Sequence, residues 1–175
     1  VPPPRPVDIV YRLERRADVP DFESVVEATL HDQRGWERAG FRFVRSASPG
    51  DAPYRIVVAE ADEVQALCRP YDVYRKYSCQ NGPVVALHAD RWRTATPEWT
   101  GDVATYRQML INHEVGHLLG MHHPEVQCPD QGQVAPIMAQ QSTELNGCLP
   151  NPWPLADEVA RAAQHDQPLA PPFNR

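Results

Sequence analysis

The stretch His113-Glu-Val-Gly-His117-Leu-Leu-Gly120-Met-His-His123 constrains this chain more than any other part of it. Residues four apart on a helix share a face, so the His113 and His117 imidazoles can reach one metal ion. Glu114 lies about 100° further round the same helix, beside the ion and within reach of a water there. Gly120 supplies the left-handed residue on which helices end. The chain then turns back and offers His123 as a third ligand; His122 competes for the role, and the longer spacing favours His123. Three imidazoles with one coordination position left open are the donor set of a catalytic zinc. With 7 His and 9 Gly in 175 residues, the whole pattern arises by chance in fewer than about one in ten thousand such chains. The alternative is a helix whose core histidines merely fall at this spacing.

The rest of the chain must build a fold around that helix, which runs from Asp102 to Leu119 with Val103, Tyr106, Leu110 and Leu118 on one buried stripe. Strands are expected at Val7–Glu14, Phe41–Arg45, Tyr54–Ala59 and Val84–Ala89. Phe22, Val25, Val26 and Leu30 give Asp21–His31 helical spacing, with Asp21 as its cap. Ala61–Leu67 and Leu155–Gln164 read as short helices, and a Gln80-Asn81-Gly82-Pro83 turn leads into the fourth strand. Strands and helices come first and irregular chain follows. The fold class is therefore α/β (α+β), with a loop-rich C-terminal lobe. The length makes 1–175 about one domain. Within it, 1–6 is a proline-rich linker, about 7–120 an N-terminal lobe, and about 121–175 a C-terminal lobe ending in a proline-rich strap.

Composition excludes several partners. The net charge is −6, and the basic residues, 16 Arg and the single Lys76, are scattered; both facts argue against nucleic acid or an anionic membrane surface. No apolar run approaches the roughly 18 residues of a membrane span. The chain opens VPPPRP without a charged-then-apolar leader, so any export signal is expected to have been removed. The cysteines Cys68, Cys79, Cys128 and Cys148 contain no C-x-x-C, which speaks against a zinc ribbon or thioredoxin-type site. Of three possible connectivities, Cys68–Cys79 with Cys128–Cys148 closes two short loops and is the one adopted, each bridge contributing roughly 3 kcal/mol; four free thiols are the alternative. Disulfides need an oxidising compartment, so an extracellular or cell-envelope location is expected. His31, His88 and His165 have no partner pattern and read as surface or satisfied polar residues. Trp36, Trp92, Trp99 and Trp153 read as packing residues. Gly116, inside the helix at a cost of about 1 kcal/mol relative to Ala, implies a close neighbour.

These residues carry a resemblance. HEVGHLLGMHH is similar, at every fixed position, to the extended zinc-binding consensus of the metzincin superfamily of metallopeptidases. Pro124 after the third histidine is similar to the serralysin branch. Pro136-Ile-Met138-Ala resembles the metzincin Met-turn, whose methionine forms a floor beneath the metal, and Cys128 and Cys148 bracket it. The resemblance implies a metzincin-like zincin fold, a small twisted mixed sheet with an active-site helix, and one catalytic Zn2+ held by His113, His117 and His123, with Glu114 as general base and acid and Met138 as the supporting methionine. Longer matches, among them Tyr77-Ser-Cys79-Gln-Asn-Gly82 and Gly147-Cys148-Leu-Pro-Asn-Pro-Trp-Pro154, resemble an actinobacterial family of exported or membrane-tethered domains with metzincin-like character. Two features depart from the serralysin pattern. Gln140 stands where serralysins and astacins carry a tyrosine, leaving Gln140, Gln141 or the zinc alone as oxyanion stabiliser. Glycine-aspartate calcium repeats are absent from the sequence.

The expected function is that of a monomeric, zinc-dependent endopeptidase acting on a peptide or protein. By the resemblance, Val84, Val85, Ala86, Leu87 and His88 form the upper rim of the cleft, and an extended peptide adds to them as an antiparallel strand. The loop from Pro124 to Gln141 walls the pocket for the side chain after the cut, with Val126, Val134 and Ile137 as apolar lining and Gln140 as a further substrate contact. One alternative is a catalytically silent zinc- and peptide-binding module of the cell envelope, against which the retained Glu114 argues. Another is a zinc amidohydrolase acting on a non-protein, cell-wall amide, although the sequence lacks the split H-x-x-x-D and H-x-H ligands of many such enzymes.

Overall fold

Short runs of β-branched and aromatic residues, each bounded by polar or turn-forming segments, set the sheet. In the computed structural model, which describes residues 5–164 apart from the Pro49 side chain, these runs form β1 (Val7–Arg15), β2 (Phe41–Arg45), β3 (Tyr54–Ala59) and β5 (Val84–His88). A further strand, β4 (Cys79–Asn81), lies where the sequence reading puts only loop and turn. The order is β2-β1-β3-β5-β4. The first four are parallel to one another, and β4 runs antiparallel along the outer side of β5, pairing Cys79 with Ala86, Gln80 with Val85 and Asn81 with Val84. The proline-rich opening up to Pro4, the end of the closing strap and His165 lie outside the described residues.

Both faces of the inner strands are covered, as parallel strands require. Along β3 and β5, Ile56, Val58, Val85 and Leu87 enter the main core, while Val57, Ala59 and Ala86 enter a smaller one on the other face. The main core takes the buried side chains of α1 (Phe22–Leu30) and α4 (Val103–Leu118). The smaller one is closed by α2 (Ala61–Leu67) and by Cys68 and Cys79, which are bonded to each other. Asp21 stands at the N-cap of α1 but takes a left-handed conformation, φ 55°, and its side chain makes no cap hydrogen bond. Its carbonyl accepts from Val25 N–H and the Ser24 hydroxyl instead. Ala89 leaves the strand and opens a short helix, α3 (Ala89–Thr94), capped by the His88 ring, which accepts from Asp90 N–H at 3.1 Å.

The tryptophans hold these layers together. Trp36 donates to Asn112 O of α4 at 2.8 Å, Trp92 to Pro20 O at 2.8 Å, and Trp99 to Asp102 O at 2.9 Å. Trp153, half-buried, stacks under the Arg34 guanidinium at 4.3 Å. Past α4 the chain is irregular until α5 (Ala156–Ala162), and Cys128–Cys148 closes the loops between them. Among the described residues, no helix is long and apolar enough to cross a membrane.

Candidate metal centre

Helix α4 is fixed at both ends before it presents any ligand. Asp102 Oδ1 accepts from Thr105 N–H at 2.8 Å, a side-chain N-cap. At the other end Gly120, φ 92°, closes a Schellman turn: Gly120 N–H reaches His117 O at 3.0 Å and Met121 N–H reaches Gly116 O at 2.9 Å. From Met109 to Leu118 every residue of the helix is buried. His113, Glu114 and His117 are thus held on a rigid element inside the molecule, and the turn after Gly120 brings His123 back over them.

The three imidazoles converge. His123 Nε2 stands 3.1 Å from His117 Nε2 and 3.3 Å from His113 Nε2, and their ligand atoms form a group able to hold one metal ion. Nitrogens bound to a tetrahedral zinc at about 2.0–2.1 Å lie about 3.3 Å apart, so the spacing fits zinc. The ring tautomers fit as well. His113 Nδ1 donates to Ile137 O at 2.9 Å and His117 Nδ1 donates to Met121 O at 2.8 Å. A carbonyl can only accept, so both Nε2 atoms carry lone pairs towards the shared point. These carbonyls are the outer partners that orient metal-binding histidines. His122 is exposed and outside the group, and exposed His31 lies 3.2 Å from Glu37.

Beneath the ligands lies a turn whose amides are clamped from α5. Glu158, wholly buried, accepts from Ile137 N–H at 2.8 Å, Met138 N–H at 3.0 Å and Leu155 N–H at 3.0 Å. Burial raises its pKa above the ordinary carboxyl value, against the opposing pull of those three amides. Ile137 therefore receives Glu158 on its N–H and holds His113 through its C=O. Met138 packs against α4 at Gly116, where a Cβ would run into its sulfur and into the Trp36 ring; this is the close neighbour that the helical glycine implies. The sequence reading misses Glu158, because an acid in the first turn of a helix ordinarily faces solvent.

A cleft of about 510 Å³ opens beside the triad. His113, Glu114 and the apolar Met109 and Leu110 line it, together with Gln140 to Thr143 and with Tyr74 and Lys76 to Ser78. Tyr106, buried behind Ser142, shares a 2.8 Å hydrogen bond with that hydroxyl, and burial pushes its pKa up to about 12. Gln140 lines the cleft, with its backbone N–H donating to Gln127 Oε1 at 2.7 Å. Gln141 also borders the cleft, but its amide is committed: it donates to Pro136 O and Asn151 O and accepts from Asn151 N–H.

Two sequence expectations change here. Val84, Val85, Ala86, Leu87 and His88 do not form the free rim of the sheet, because β4 occupies the outer edge of β5; the edge belongs to β4. His88 is a satisfied buried residue, donating through Nε2 to Arg75 O at 2.8 Å and accepting at Nδ1. The expected apolar wall is also absent from the cleft. Val126 and Val134 are exposed, Ile137 is fully buried, and none of the three lines it. The cleft is bordered instead by Tyr74, by Lys76 to Ser78 and by Gln140 to Thr143.

Residues 12–156 match the family model described as Protein of unknown function (DUF3152). The chain belongs to the DUF3152 family. No curated protein matches it at a significant level. Among solved structures, this DUF3152 domain is similar to archaemetzincin from Methanopyrus kandleri, with a TM-score of 0.52 and 12% sequence identity over 94% of this chain and 98% of that one. At that identity the likeness is one of fold. It is a metzincin-like fold, with a five-stranded, mostly parallel sheet backed by helices.

Proposed function

We propose that this DUF3152 domain is a zinc-dependent endopeptidase. The observation that carries the reading is the convergence of three imidazole Nε2 atoms beside the buried Glu114 carboxyl in an open cleft. The metzincin-like fold and the extended histidine motif support it independently. In this reading His113, His117 and His123 hold a single catalytic zinc, and Met138 is the methionine of a Met-turn. When bound, zinc supplies Lewis acidity, acidifying water towards a pKa of ~7 and polarising the scissile carbonyl.

The chain's own residues do the rest. Glu114 takes a proton from the attacking water and passes it to the leaving amine. The Gln140 side-chain amide is the oxyanion-stabilising candidate, since the Gln141 amide is already engaged. An extended peptide lies along the outer edge of β4, and the side chain next to the cut enters the cleft between Tyr74–Ser78 and Gln140–Thr143. The disulfides Cys68–Cys79 and Cys128–Cys148 support an oxidising, extracellular or cell-envelope location, and in this reading the domain acts there as a monomer on peptides or proteins. Glu114→Gln tests the reading: it keeps zinc and lowers cleavage by about 10²–10⁴-fold. A zinc-loaded wild type that binds peptides and cleaves none would make the domain a binding module instead.

A further inference from the structure

The electrostatics of the cleft are lopsided. Among its lining residues Glu114 is the only acid, and in the proposed reaction its carboxylate is occupied with the attacking water. Lys76, the only lysine in the chain, borders the same cleft. It is exposed, its Nζ stands 5.3 Å over the Tyr77 ring, and no carboxylate pairs with it among the described residues. A second cation, outside the cleft lining, lies near Tyr106. Arg91 acts on the Tyr106 hydroxyl, and its Nε is buried without a hydrogen-bond partner among the described residues.

The neutral groups of this end are suited to donate. Tyr106 and Ser142 share one hydrogen bond, 2.8 Å long. With the Tyr106 hydroxyl donating to Ser142 Oγ, the Ser142 proton is left for an occupant of the cleft. The Thr143 hydroxyl and the Gln140 amide border the same space. Met109 and Leu110 add apolar surface to the same lining, against which methylene groups can pack. A ligand group that uses all of this is a carboxylate on a short aliphatic stem. A basic side chain would instead meet Lys76.

We propose that Lys76 makes the cleft selective for an acidic side chain of glutamate length on the residue that supplies the leaving amine. This rests on the endopeptidase reading for the direction of the peptide, but not for the charge preference itself. Binding and cleavage are therefore measured separately. Zinc-loaded protein is titrated calorimetrically with pentapeptide amides that begin with Glu, Gln or Lys and are otherwise identical. These mimic the amine-side products, so affinity is read without turnover. In wild type the Glu peptide binds roughly tenfold tighter than the Gln peptide, a margin that shrinks as salt is raised. Lys76→Met brings the two within about twofold, and Lys76→Glu makes the Lys peptide the best of the three. Lys76 is exposed, so both variants keep the fold, which their melting temperatures verify. Equal binding of the Glu and Gln peptides by wild type, or a preference that survives Lys76→Met, overturns the assignment. Cut sites in a mixed peptide library, mapped by mass spectrometry, separate the two readings. Charge-selective binding without any cut keeps Lys76 in its role and rejects the endopeptidase, whereas cuts with no acidic preference do the reverse.

Discussion

Two amide protons of the turn at Ile137 and Met138 end on the carboxylate of Glu158, and the carbonyl of the same Ile137 orients His113. Glu158→Ala leaves buried N–H groups without an acceptor, at about 1–3 kcal/mol each. It also loosens the partner of a metal-binding imidazole, and such outer partners are worth about 10–100-fold in metal affinity. We expect a lower melting temperature and weaker zinc binding in a chelator competition, with Glu158→Gln milder because its amide oxygen still accepts. Unchanged zinc affinity in Glu158→Ala would disconnect α5 from the metal site. Gly116→Ala offers a complementary check. Alanine favours a helix by about 1 kcal/mol, yet its Cβ meets the Met138 sulfur and the Trp36 ring. Overpacking of this kind costs about 1–3 kcal/mol, so urea denaturation should show net destabilisation. The convergence of His113, His117 and His123 was legible in the sequence because their spacing is a property of one helix and one turn. Glu158 was not, since its partners lie some twenty residues away across a chain without periodicity.

At the scale of elements, what the sequence conveys depends on length and repetition. Sixteen residues of α4 with a capping Asp102 and a terminating Gly120 announce themselves. Three residues of β4, Cys-Gln-Asn, carry no alternation and adjoin a turn, and so the edge of the sheet was placed one strand too far inward. Strand pairing also sets a pH response. Glu14 of β1 takes a bidentate pair of hydrogen bonds from Arg55 of β3, at 2.8 and 2.7 Å, and another from Arg12 at 2.8 Å. Its carboxyl is held down to about 2, with the Arg55 hydrogen bonds the largest cause. A carboxyl lowered in the native state contributes its stability fully above the ordinary value near 4.5 and loses it as pH falls through about 2. Allowing for partial exposure, the contribution is about 2 kcal/mol. Urea titrations of metal-free protein should find Glu14→Gln less stable than wild type by that amount at neutral pH, with the gap closing towards pH 2. A gap that stays constant with pH would remove Glu14 from the acid response.

Across the whole molecule, a regular half presents and an irregular half encloses. The sheet and α4 deliver His113, Glu114 and His117, while the loops after Gly120 bring His123, the Met138 turn and the Gln140–Thr143 wall to the same point. Those loops have little repeating structure to hold them. Cys128–Cys148, the Val134–Leu149 bridge and the Gln141–Asn151 hydrogen bonds serve in its place. The sequence conveyed the two disulfides and the α/β class, but not how the loops fold over the metal site, because that depends on single buried polar side chains. In the proposed reading this arrangement holds one catalytic zinc. The direct measurement is elemental analysis of the zinc-loaded, dialysed protein, together with mass-spectrometric mapping of cuts in a diverse peptide library. One zinc per chain, with cuts that disappear on chelation and return with zinc, is the predicted result. A chain that retains no zinc after loading would contradict it.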